Sequence, residues 1–232
     1  MNQKNIVIYY ISLSLFLFII LILMNYYSVS SNLVKEIDRM IIAIIFITIS
    51  IFGVSLALHP KWYNKITKKD MKNVKINENN NKINREGHHP NCKKFQNHII
   101  LINRSKYCAG CIGLALGAFV SIFLMIYYFI IDNSQSTLNY QNIFFLGVIF
   151  IFNSYFESII HKKNSIIHII SNMLFIIGFL LIIISTLENS GDFIYGIISI
   201  LASFLFLETR IQISFLNHIN TCFKCTGQCK MY

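Results

Sequence analysis

Six long apolar stretches separated by polar segments set the pattern of this chain: residues 6–24, 40–58, 108–131, 142–160, 166–187 and 193–213. Each is near the roughly 20 helical residues needed to cross a hydrocarbon core about 30 Å thick. None shows the ten-residue alternation of an outer-membrane barrel strand, so the pattern predicts transmembrane helices and an all-α bundle. The short connectors 132–141 and 188–192 make consecutive helices antiparallel neighbours. The first stretch follows Lys4 and precedes Ser28, Ser30 and Ser31, as a signal peptide would. Its apolar run is too long and no A-x-A-like cleavage site follows, so it reads as a retained anchor.

Composition agrees with that pattern, since 55% of residues are hydrophobic, only 13% are charged and two are proline. Six spans leave little chain for a soluble domain. Residues 1–232 are therefore expected to form one membrane domain, with a basic loop at 59–107 and a cysteine-rich tail at 214–232. The net charge of +10 would suggest nucleic acid in a soluble protein, but twelve of the twenty Lys and Arg fall between His59 and Tyr107. Membrane proteins concentrate basic residues in cytoplasmic loops, so topology explains the excess and nucleic-acid binding is disfavoured. The same loop is placed to meet anionic headgroups of the lipid bilayer.

Loop charges also set an orientation. The 59–107 loop carries twelve basic residues against three acidic, whereas 25–39 has two of each and 132–141 and 188–192 have none that are basic. Lys162 and Lys163, and Lys224 and Lys230, return the positive charge after the fourth and sixth spans. This alternation predicts a multi-pass cell-membrane protein with both termini, the long loop and every cysteine in the cytoplasm.

All six cysteines lie in two clusters on that side, where structural disulfides are not expected. The first runs His88-His89-Pro90-Asn91-Cys92, then His98, then Cys108-Ala109-Gly110-Cys111 leading into the third span. The second is His218-x3-Cys222-x2-Cys225-x3-Cys229. A C-x-x-C lets two sulfurs bind one ion, and two such pairs on one membrane face resemble a split zinc site. Cys108, Cys111, Cys222 and Cys225 are its simplest tetrahedral set. His88, His89, Cys92, His98, His218 and Cys229 remain for a second site or as alternatives. An iron–sulfur cluster takes the same ligands, though Lys230 stands where the bacterial run has proline. A thiol relay, or an ion that merely staples loop and tail to the bundle, fits the same residues.

Ionisable groups inside spans mark buried or wet sites. Asn153, Glu157 and His161 recur every four residues on the fourth span, which predicts one shared face, and His168 and Asn172 do so on the fifth. Glu157 and His168, on adjacent antiparallel helices, are positioned for a pair that orients a metal ligand or relays a proton. Glu208 and Arg210 near the end of the sixth span are expected to be boundary residues. Gly110, Gly113 and Gly117 predict close helix contact at the start of the third.

Gly87-His88-His89-Pro90 through Phe95, followed by Cys108-Ala109-Gly110-Cys111-Ile112-Gly113-Leu114 and Gly117, resembles a signature of uncharacterised prokaryotic multi-pass membrane proteins: H-x-P, then C-A-x-C-x-G and a further glycine. Many of these have Arg and Thr where this chain has Gly110 and Ile112, and the tail cysteines are not part of the signature. The resemblance implies a membrane protein with a cysteine motif. Three functions then stand open: a cytoplasmic-face Cys/His metal site with a metal- or redox-linked role, an ion or solute transporter with Glu157, His168 and Glu208 in its pathway, and a membrane-embedded metalloenzyme. No Walker A loop, H-E-x-x-H, G-x-S-x-G or dinucleotide fingerprint is found.

Overall fold

The structure, a computed structural model, describes residues 3–27, 34–58, 99–102, 105–130, 139–160 and 164–223, with backbone only at 58, 101–102, 105–106, 218 and 221–223. It contains the helices α1 (Gln3–Tyr27), α2 (Glu36–Leu58), α3 (Ala109–Ile130), α4 (Tyr140–Ile160), α5 (Ser165–Ser190) and α6 (Phe193–Phe223). All six are long and apolar enough to cross a membrane. The expected all-α bundle is therefore present, because a helix satisfies its own backbone hydrogen bonds where no water is available.

Polar residues at the segment ends start and stop the helices. The Asn139 side chain accepts from Gln141 N at 3.1 Å to open α4, Asn164 accepts from Ile166 N at 3.0 Å to open α5, and Asp192 accepts from Ile194 N at 2.9 Å to open α6. Gly191 closes α5 in the left-handed region, with φ 66° and its N–H on Leu187 O. A residue with a Cβ would be strained there.

Helix α5 is central: it packs most extensively on α4 and α3 and also touches α6 and α1, while α1 leans on α6 and α2 on α3. Lipid tails are as apolar as leucine, so close packing and hydrogen bonds hold such helices together more than hydrophobicity does. Glycine makes the approach possible. A Cβ on Gly147 of α4 would sit 2.9 Å from Gly178 O of α5, and one on Gly113 of α3 would sit 2.5 Å from Ile169 O. Phe144, Phe175, Ile182 and Phe206 fill one core cluster, and Ile42, Met125, Ile183 and Leu187 another.

Cross-helix hydrogen bonds define the two ends of the bundle. At the end holding Gln3 and Cys108, Gln3 donates to Gln212 at 3.0 Å and Asn217 donates to Ser158 O at 2.9 Å. At the far end, Asn189 donates to Asn25 at 2.6 Å and Arg39 pairs with Glu188 at 2.7 Å. The amino terminus and Cys108 thus share a face, as the loop charges required.

Two details differ from the sequence reading. Residues at the end of the 59–107 loop form an antiparallel hairpin, β1 (Ile99–Ile102) with β2 (Ser105–Cys108), pairing Ile99 with Cys108. Four consecutive apolar residues, three of them isoleucine, suit a short strand and are too few to show a period. Helix α6 also continues to Phe223, so the backbone of Cys222 lies in its last turn. Hydropathy marks where a span ends, whereas a helix continues for as long as its backbone ladder does.

Candidate functional site

The C-x-x-C motif straddles the junction of hairpin and helix. Cys108 is the last residue of β2 and Cys111 sits in the first turn of α3. Their thiols are within hydrogen-bonding reach of each other, and no disulfide joins them. Between them, Gly110 is buried against α5: a Cβ there would stand 3.0 Å from His168 Nε2 and 3.7 Å from Cys108 Sγ. One edge of the His168 imidazole and the Cys108 sulfur thus both border Gly110, and a side chain at position 110 would crowd the ring.

His168 lies in the first turn of α5, its N–H bonded to Asn164 O at 3.2 Å. Its Nδ1 is 2.9 Å from Glu157 Oε1, on the last turn of α4. An ionised Glu157 accepts the Nδ1 proton, which leaves the Nε2 lone pair facing Gly110 and Cys108. Glu157 is buried, and its Oε2 is 3.7 Å from Arg210 Nη2 of α6.

Arg210 completes a ring of polar contacts. Its Nη1 donates to Asn172 Oδ1, and Asn172 Nδ2 donates to His168 O at 2.5 Å. The guanidinium also stands over the Phe175 ring, 5.1 Å from the centroid. Carboxylate, imidazole, amide and guanidinium from α4, α5 and α6 therefore hold one another next to the junction of β2 and α3 that carries the thiols. Arg210 exposes 9% of its side chain, and its Nε and Nη2 have no hydrogen-bond partner among the described residues. A buried carboxylate requires such a counter-charge in a low-dielectric interior.

The structure thus brings together Cys108, Cys111, Glu157 and His168 and leaves Glu208 apart. Glu208 accepts from Gln212 Nε2 at 2.6 Å, in the polar chain that reaches Gln3 of α1. Arg210, expected beside it at the boundary, is instead inside the bundle, because successive helical positions point in different directions. The shared face expected of Asn153 and Glu157 also divides: Glu157 is buried between helices, and Asn153 is exposed. His88, His89, Cys92, His98, His161, Cys225 and Cys229 lie outside the described residues, as do the side chains of His218 and Cys222. Sequence reasoning did not find the partnership of Asn172 with Arg210. The available signals were an amide one turn after His168 and an arginine inside an apolar run.

Among the described residues, no three His, Cys, Asp or Glu side chains converge as they stand on a point that could hold a metal ion. A bound ion would have to draw Nε2 and the two sulfurs to about 2.0–2.3 Å from itself. The six spans and their internal ionic network define a multi-pass helical membrane protein. No family model, curated protein or solved structure matches the chain.

Proposed function

We propose that this membrane protein binds a thiophilic metal ion, zinc in the first place, through Cys108, Cys111 and His168 on its cytoplasmic face, and that its role is linked to that metal. One observation carries the reading: Glu157 holds His168 by Nδ1 at 2.9 Å while Nε2 and Cys108 Sγ both border Gly110. Metal-ligating histidines nearly always carry such a carboxylate or carbonyl partner on the other nitrogen. Two thiolates and an imidazole suit zinc, and a site with three protein ligands leaves a fourth position for another donor. Cys222 and Cys225, which the charge pattern of the sequence assigns to the same face, are the sequence's candidates for it. In this reading the basic loop meets anionic headgroups next to the site.

The test is metal analysis with an absorption spectrum on the full chain, purified anaerobically in detergent. About one zinc per chain is expected, lost in the Cys108→Ser/Cys111→Ser double variant while the helical signal in circular dichroism persists. Iron with sulfide and a brown colour would replace zinc by an iron–sulfur cluster. No metal, or metal unchanged in the double variant, would overturn the proposal.

A further inference from the structure

Helix α1 packs on α6 but barely meets α4, and the gap forms a lipid-facing groove of about 630 Å³. Its floor is Phe206 and Ile213 of α6, and Phe18 and Phe152 touch across it edge to face with centroids 5.3 Å apart. Most of its polar groups are already used. Ser14 Oγ is 2.5 Å from Thr209 Oγ1, and Tyr155 donates to Phe206 O at 2.7 Å.

Asn153 is the exception. It lines the groove, its side chain is exposed, and its amide has no hydrogen bond among the described residues. It lies seven helical steps before Ile160 at the end of α4, which is about 10 Å along the helix. An amide facing hydrocarbon without a partner costs several kcal/mol. A second groove, of about 590 Å³ between α2, α3, α5 and α6, provides the contrast. Its Thr48 and Ser203 return their hydroxyls to carbonyls of their own helices and its other hydroxyl, Ser50, is buried, so no exposed polar group in it lacks a partner and lipid tails alone can cover it.

We infer that the α1/α4 groove binds a single-chain amphiphile from the bilayer, its apolar chain lying in the groove and a carbonyl or hydroxyl oxygen pairing with Asn153. Volume and shape favour this occupant over a second copy of the chain. A groove of 630 Å³ falls within the range of small-molecule sites. Two turns of a helix about 10 Å across would displace roughly 850 Å³. The rim is also built from Ile149, Phe152 and Phe156, all exposed, rather than from the small residues that bring helices together in lipid. The inference does not depend on the metal reading, because the groove includes none of the proposed ligands.

The experiment is native mass spectrometry of the detergent-solubilised full chain titrated with 1-monooleoylglycerol, which has one chain, an ester carbonyl and hydroxyls. One saturable adduct per chain is expected. Asn153→Leu should weaken it by about three- to tenfold, the loss of one hydrogen bond, and Asn153→Gln should recover most of it. Ile149→Trp should abolish it by filling the groove, with metal content and helicity unchanged. Adducts that never saturate, or that ignore both Asn153→Leu and Ile149→Trp, would mean ordinary annular lipid and overturn the inference. So would a dimer that Asn153→Leu converts to monomer, since the occupant would then be a second copy.

Discussion

Each end of the bundle holds an arginine–glutamate pair, half-buried at one end and buried at the other, and the two pairs are used differently. At the far end, Arg39 of α2 grips Glu188 of α5 through Nε at 2.7 Å and Nη2 at 2.9 Å, and Tyr128 of α3 donates to the same carboxylate. Both carboxylate oxygens face donors from other helices, so the group has nothing left to do but hold them. At the cysteine end, Arg210 stands 3.7 Å from Glu157 and gives its hydrogen bond to Asn172 instead. The carboxylate is thereby left to orient His168 at the thiols. A fully paired bidentate bridge is a clamp, whereas a loosely paired one can serve a neighbouring ligand.

That contrast can be broken most strongly from the clamp side. Arg39→Leu strands a buried carboxylate, and thermal unfolding in detergent should report a loss of about 3 kcal/mol, with metal content unchanged. A comparable loss of metal would mean that the two ends are not separable. Glu157→Gln should instead reach the metal: zinc affinity, measured by competition with a chelator, should fall about 10- to 100-fold, and unfolding should also become easier because the buried Arg210 loses its counter-charge. Affinity within twofold of the parent would remove Glu157 from any orienting role.

Smaller changes sharpen the comparison. Gly110→Ala introduces a Cβ 3.0 Å from His168 Nε2, tight enough to push the ring from the cysteines. About tenfold weaker zinc binding is expected, roughly 1.4 kcal/mol, and unaltered affinity would show that the imidazole does not need that approach. Glu208→Gln should be nearly silent, within about 0.5 kcal/mol in unfolding and twofold in zinc affinity, since Glu208 bonds to Gln212 and not to the site. A large effect on either would place Glu208 in the machinery after all.

Much of the architecture was legible without coordinates. The apolar runs located six spans within a few residues, because lipid forces each crossing segment to be long, apolar and helical. Glu157 and His168 were legible as partners because the four residues 161–164 connecting their helices keep those ends adjacent. The hairpin before α3 was not legible, since four apolar residues carry no period that separates strand from loop.

The sequence by itself determined how many times the chain crosses, which ends share a face and which residues have metal-binding chemistry, because hydropathy, charge and side-chain type are local properties. Only the tertiary structure decided which of those residues meet. Gly113 and Gly178 draw α3 and α4 onto α5, and that approach sets His168 Nε2 beside Gly110 and Cys108. It also turned Arg210 inward, kept Glu208 at the edge and left Asn153 facing a groove while Glu157 was buried one turn away. The reason is geometric: a helix fixes the angle between its own side chains, but its rotation about its axis is set by the neighbours it packs against.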